Sequence, residues 1–139
     1  MVSASVSPEE LRAFPLFAGL GEEALQRLSA SMEELEVAAG QTLVHAGDPG
    51  SGLFVIEEGI VVVEGRGQVV IELGPGEFVG ELALLVPEST RSARVRAKTD
   101  IRCLAIGAAE FRQLLEDEPR VAAVMLPIVA ERLWQARAG

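Results

Sequence analysis

Glycine falls ten times between residues 37 and 106, at Gly40, Gly47, Gly50, Gly52, Gly59, Gly65, Gly67, Gly74, Gly76 and Gly80, out of 14 in the whole chain. These breaks leave runs rich in Val, Ile and Leu that are too short for helices and suited to strands. The runs are Thr42–His45, Leu53–Glu57, Ile60–Glu64, Gln68–Leu73, Arg94–Ala97 and Arg102–Ile106. Glu64-Gly65-Arg66-Gly67-Gln68 is a short glycine-rich connection of the kind that closes a hairpin. Evenly spaced short strands of this sort build a small barrel or roll, and no tandem repeat accompanies them.

The flanks follow a different period. Ser7-Pro8-Glu9-Glu10 reads as an N-cap, a proline at the first helical position and acids in the first turn. Pro15 and Gly19 interrupt the apolar Phe14, Leu16, Phe17 and Leu20. Gly21-Glu22-Glu23 then opens a second helix with Leu25, Leu28, Met32 and Leu35 on one face. After Gly107, Phe111, Leu114 and Leu115 share a helical face, and Glu116-Asp117-Glu118-Pro119 reads as a stop followed by a new start. The last helix carries Val121, Val124, Met125, Ile128, Val129, Leu133 and Trp134, with Pro127 expected to kink or break it near Met125 and Leu126. The expected plan is a single domain over residues 1–139: a helical segment at 1–36, a β roll at 37–106 and C-terminal helices at 107–139. With 139 residues, 49% of them apolar, one core suffices.

Charge and rare residues remove whole classes of function. The formal charge is −9, which disfavours a broad electrostatic grip on nucleic acid or anionic lipid, so no direct DNA binding is expected. The balance is uneven: residues 1–90 hold three basic against fifteen acidic side chains, residues 91–139 nine against six. Cys103 is the only cysteine and His45 the only histidine. An internal disulfide and a three-histidine metal site within one chain are therefore excluded. No signal-like start and no apolar run of about 18 residues is present, so a soluble cytoplasmic protein is expected. His45 reads as a loop or strand residue, Cys103 as a small buried hydrophobe, and the pairs Glu22-Glu23, Glu33-Glu34 and Glu57-Glu58 as solvated faces.

The chemically informative stretch is Gly74-Pro75-Gly76-Glu77-Phe78-Val79-Gly80-Glu81-Leu82-Ala83-Leu84-Leu85, continued by Thr90-Arg91-Ser92-Ala93-Arg94-Val95. One or two helical turns starting near Gly80 would present unpaired amides to an anion, and glycine allows close approach. Arg91 supplies a cation able to bond two phosphate oxygens, and Ser92 a hydroxyl. Glu81 would repel the same phosphate, so its carboxylate is suited to a sugar hydroxyl; together they imply a ligand with both sugar and phosphate.

Phe78-x-Gly80-Glu81-Leu82-Ala83-Leu84 followed by Arg91-Ser92-Ala93-x-Val95 resembles the phosphate-binding cassette of the cyclic nucleotide-binding domain family. The likeness runs over roughly residues 14–135, and between Gly76 and Phe111 it is closest to the bacterial catabolite activator type. The resemblance implies a mainly β fold with flanking helices: a jelly-roll-like, eight-stranded β roll (double-stranded β-helix) with N-terminal helices and C-terminal B and C helices, its cassette at 78–95. It implies that Glu81 takes the ribose 2′-hydroxyl and Arg91 the exocyclic phosphate oxygens. Gly80, Ala83 and the Ser92 amide and hydroxyl would complete the polar contacts, with Leu82 and Ala93 beside them. Val63, Val70 and Leu73 would pack against base and sugar, and Trp134, Arg137 or Leu133 would cap the base. Two positions depart from the pattern: Thr90 stands where many members have proline, and Arg94 where many have a small hydroxyl residue. Ser92 suits both cAMP and cGMP binders and does not choose between them.

The implied function is a non-enzymatic sensor of cAMP or cGMP, needing no other cofactor, that reports occupancy through its C-terminal helices with Pro127 as hinge. A homodimer through Val121, Val124, Ile128 and Trp134, or a downstream effector protein, would be the partner. The chain is expected to be either free-standing or one module of a larger protein. Plainer readings stand beside these: Arg91 as a surface residue paired with Glu88, Glu81 as an ordinary helix N-terminal acid, and Trp134 as a packing or dimer residue. The competing functions are a nucleotide-independent β-roll scaffold and a cupin-like enzyme, the latter disfavoured because a single histidine cannot build the usual metal cluster.

Overall fold

The computed structural model describes residues 2–44, 52–65, 68–80 and 94–138, with side chains at all of these except 2–5, 44, 65, 68–70, 133 and 135–138. Its strands are β1 (Val2–Ser5), β2 (Met32–Val37), β3 (Thr42–Val44), β4 (Gly52–Glu58), β5 (Val61–Gly65), β6 (Gln68–Leu73), β7 (Phe78–Val79), β8 (Arg94–Ala97) and β9 (Ile101–Gly107). Helices α1 (Pro8–Arg12) and α2 (Glu22–Ser31) precede most of them, and α3 (Ala108–Asp117) and α4 (Pro119–Ala138) follow. The strands form two antiparallel sheets, one ordered β1-β2-β9-β4-β7 and the other β3-β8-β5-β6. This is the mainly β roll with flanking helices that the resemblance implies.

Period-two alternation divides the interior into two cores. Leu53 and Val55 of β4, Phe78 of β7 and Leu104 and Ile106 of β9 face the helices, where they meet Leu11, Phe17, Leu25, Phe111 and Val121. Their neighbours Ile56, Val79, Ile101 and Cys103 face the second sheet and pack with Val61, Leu73, Val95 and Ala97. β7 has only two residues, and each contributes to a different core.

Several local expectations hold. Ser7 caps α1 by accepting a 3.2 Å hydrogen bond from the Glu10 amide, with Pro8 in the first turn. β5 and β6 pair as the hairpin around 64–68, and α3 ends at Asp117 before α4 starts at Pro119.

Three expectations are corrected. The second helix ends at Ser31; Met32 and Leu35, assigned to its face, belong to β2, so the segment 1–36 is not wholly helical. Six registered positions against β9, Met32 opposite Ile106 through Val37 opposite Ile101, override the helix propensity of a Glu- and Leu-rich run. Val2–Ser5 is a strand, pairing with β2 from Val2 opposite Glu36 to Ser5 opposite Glu33. Together with Phe78–Val79 this gives nine strands among the described residues in place of eight. Finally, α4 runs unbroken through Pro127. Proline removes the amide that would reach the Ala123 carbonyl, but Ala123 and Pro127 are both exposed, so water can take that acceptor. On the opposite face Val121, Met125 and Val129 are buried at four-residue intervals and hold both halves of the helix to the core.

Candidate cyclic nucleotide site

The path into the cassette is built by a tight turn. The Gly74 amide donates to Glu77 Oε2 at 2.8 Å, and the Glu77 amide to the Gly74 carbonyl at 3.1 Å. The Gly76 amide donates to the Ile56 carbonyl and the Ile56 amide to the Glu77 carbonyl, both at 2.8 Å. These bonds seat β7 beside β4 at the edge of the five-stranded sheet. Val79 then hands over to Gly80 at φ 99°, a left-handed conformation that a side chain would strain. The chain is next described at Arg94, where β8 lies inside the other sheet between β3 and β5. Val79 and Arg94 therefore belong to strands of different sheets. Glu81, Leu82, Ala83, Arg91, Ser92 and Ala93, and with them Glu88, Thr90 and His45, lie outside the described residues.

The other expected contacts are distributed as follows. Val63 is half-buried in the inter-sheet core, opposite Ile71 on one side and Val95 on the other. Leu73 is 3% exposed, opposite Val61 in the same core. Val70 sits where the β5–β6 register shifts, between Val63 opposite Ile71 and Glu64 opposite Val69; its side chain is outside the description. The departure at Arg94 has a local explanation. Glu64 lies directly across from it, and Arg94 Nη2 donates to Glu64 Oε1 at 2.9 Å. Arg96 adds bonds from Nε at 3.1 Å and Nη2 at 3.3 Å. The Arg96 bonds, followed by those of Arg94, hold the Glu64 carboxyl below the usual carboxylate range.

On α4, the side chains of Arg137 and Leu133 lie outside the described residues, while Trp134 is 73% exposed and packs little against the described residues. Val121, expected on a dimer stripe, is instead buried in the chain's own core, leaving Val124, Leu126, Ile128 and Trp134 as the exposed large apolar residues among those described. Arg132, which the sequence reading passed over, places its guanidinium carbon 4.6 Å from the centroid of the Phe78 ring. Its spacing of three residues from Val129 and seven from Met125, on the buried face, was the available signal.

A second cluster was also misread. Glu33 and Glu58 are exposed as expected, but Glu34 and Glu57 are half-buried. With Glu10 of α1 they bring carboxylate oxygens within 4.8 Å of one another. Glu57 Oε1 is enclosed and has no hydrogen-bond partner among the described residues. Burial first, then the hydrogen bond and charge of Glu34 and the charge of Glu10, push the Glu57 carboxyl up from 4.5 to about 7, against the pull of Arg102. Arg102 itself bonds Glu58 at 2.8 Å and lies 3.9 Å from Glu34. Cys103 is fully buried, as expected, and burial with the charges of Glu57 and Glu34 pushes its thiol up to about 12. Among the described residues no helix is long and apolar enough to cross a membrane.

Sequence comparison matches residues 34–118 to the cyclic nucleotide-binding domain, a span from β2 to the end of α3. An NTE family protein of Mycobacterium bovis, described only as uncharacterized, is 35% identical over 91% of this chain and 22% of its own length. A cyclic nucleotide-gated potassium channel of Mesorhizobium japonicum is 37% identical over 86% of this chain and 33% of its own. The chain thus spans about a fifth to a third of these curated relatives. Among solved structures, the catabolite activator protein of Thermus thermophilus superposes with a TM-score of 0.74 at 30% identity, covering 89% of this chain and 60% of that one. The turn at Gly74–Glu77, the left-handed Gly80, the two-sheet roll and these kinships lead to one conclusion: the chain belongs to the cyclic nucleotide-binding domain family.

Proposed function

We propose that the chain is a non-enzymatic cytoplasmic sensor that binds cAMP or cGMP through the segment between β7 and β8 and reports occupancy through α3 and α4. The observation that carries this reading is the family match over residues 34–118, which encloses Gly80-Glu81 and Arg91-Ser92 at the family's cassette spacing. In this reading Glu81 accepts from the ribose 2′-hydroxyl and Arg91 clamps the phosphate. Gly80, Leu82, Ala83, Ser92 and Ala93 shape the cassette around them, and Val63, Val70 and Leu73 border the base and sugar. Arg94 does not compete for the phosphate, because Glu64 already engages it. No metal or further cofactor is required. The small share of the relatives' length that this domain spans is consistent with a regulatory module used in larger proteins. A homodimer through the exposed apolar side of α4, or an effector protein, is the proposed recipient of the signal.

For occupancy to switch the helices from 1:99 to 99:1, the ligand must prefer one arrangement by about 5.5 kcal/mol. Calorimetric titration with cAMP, cGMP and 5′-AMP tests the reading: a cyclic form should bind and 5′-AMP should not. Arg91→Ala should weaken binding by roughly tenfold or more, since a charged hydrogen bond contributes about 1.5–3 kcal/mol. Failure of the folded chain to retain either cyclic nucleotide at millimolar concentration would refute the sensor and favour a nucleotide-independent scaffold.

A further inference from the structure

The family match ends at residue 118, so α4 lies beyond it, yet α4 touches the strand that leads into the cassette. Phe78 is 2% exposed and shares the helix-facing core with Val121, Met125 and Val129 of α4. One turn farther along, the half-buried Arg132 covers the face of the same ring at 4.6 Å. β7 is too short to be held by its ladder alone: among the described residues its registered pairs are Phe54 opposite Val79 and Val55 opposite Phe78. Its position therefore depends on the packing of its two side chains as well as on the backbone bonds of Gly76 and Glu77 to Ile56. Val79 is set by the inter-sheet core and Phe78 by the helix-facing core to which α4 contributes, and the next residue is the left-handed Gly80. A shift after Gly80 that is passed back along β7 moves Phe78 and changes the Arg132 contact.

We infer that Arg132 is a positioning residue that couples cassette occupancy to the seating of α4, through its cation–π contact with Phe78. This rests on the cyclic nucleotide reading above. Arg132 acts without touching the nucleotide: its guanidinium holds the ring that fixes β7, so a nucleotide that settles Gly80 and its neighbours also favours the seated helix. Conversely, a partner that lifts α4 weakens nucleotide binding by the same factor, since the coupling is reciprocal.

Trp134, the only tryptophan, is two residues beyond Arg132 and largely bare, so its fluorescence and acrylamide quenching report on this end of α4 without a label. The experiment compares the full chain with Arg132→Met, which keeps the apolar stem and removes the charge, and with Arg132→Lys, which keeps a cation. Each is titrated with cAMP and with cGMP while affinity and Trp134 quenching are followed together. The wild type should change its quenching on binding. Arg132→Met should still bind, with affinity reduced by less than about tenfold, but lose most of the quenching change. Arg132→Lys should restore part of it. A full quenching response in Arg132→Met, or binding by the wild type with no response, overturns the coupling role and leaves the sensor standing. Absence of any nucleotide binding by the wild type overturns the sensor and the coupling together.

Discussion

Replacing Glu57 by glutamine should stabilise the protein at pH 8 and do little at pH 5. Glu57, Glu34 and Glu10 come together from β4, β2 and α1, and the Glu57 carboxyl is raised from 4.5 to about 7. Between those values the folded chain holds a proton that the unfolded chain has released. Stability is therefore fullest below about pH 4.5 and falls as the pH rises to about 7. At about 1.4 kcal/mol per pH unit, that interval sets a ceiling of about 3 kcal/mol. The carboxyl is only half-buried, and solvent screening with small movements of Glu10 reduces the effect to roughly 1–2 kcal/mol. Glutamine mimics the protonated acid: it is neutral and can donate to Glu34. Urea unfolding at the two pH values should give Glu57→Gln and wild type within about 0.5 kcal/mol at pH 5, and the variant more stable by about 1–2 kcal/mol at pH 8. A variant that is less stable at pH 8, or whose difference from wild type is the same at both pH values, would show that burial and the neighbouring carboxylates do not raise the Glu57 carboxyl and would refute the reasoning.

Gly59→Ala should cost about 2–4 kcal/mol in urea unfolding. Gly59 has φ 92°, and a Cβ there would run into the Asp100 carbonyl oxygen, Ile101 Cγ2 at 2.7 Å and Thr99 Oγ1 at 2.9 Å, two of them with little freedom to move; a loss under about 0.5 kcal/mol would mean that the turn rearranges freely. Cys103 should resist an aromatic disulfide reagent at pH 8 in the native protein and react stoichiometrically in denaturant, because its thiol is buried and pushed up to about 12. Rapid native labelling would mean that β9 opens far more often than its central place in the sheet implies.

Most strands read clearly from the sequence as short apolar runs, several of them bounded by glycine: Gln68–Leu73 and Arg94–Ala97 have the expected ends, and the runs near Leu53, Ile60 and Arg102 differ by a residue or two. β2 was not legible because Met-Glu-Glu-Leu-Glu-Val favours helix locally, and only β9 alongside makes it a strand. β7 was too short to show a period; its identity comes from the backbone bonds of Gly76 and Glu77 to Ile56. Pro127 misled in the opposite direction, since the cost of a proline depends on whether the orphaned carbonyl is solvated, a property of three-dimensional placement. For the site, the cassette was legible as a motif because its glycine, acid and arginine have fixed spacing. The Glu64 clamp on Arg94 and the Arg132–Phe78 contact join residues thirty or more positions apart, and no local pattern announces them.

The pairing of Val2–Ser5 along β2 bears on how the molecule keeps to itself. β1 occupies the flank of β2 that would otherwise offer free amides and carbonyls to a strand from another molecule. If β1 were trimmed away, the newly bared border would be Met32–Val37, which carries Glu33, Glu34 and Glu36. Two such borders brought together would place acid against acid, so the trimmed protein should lose stability without gaining a tendency to form fibres.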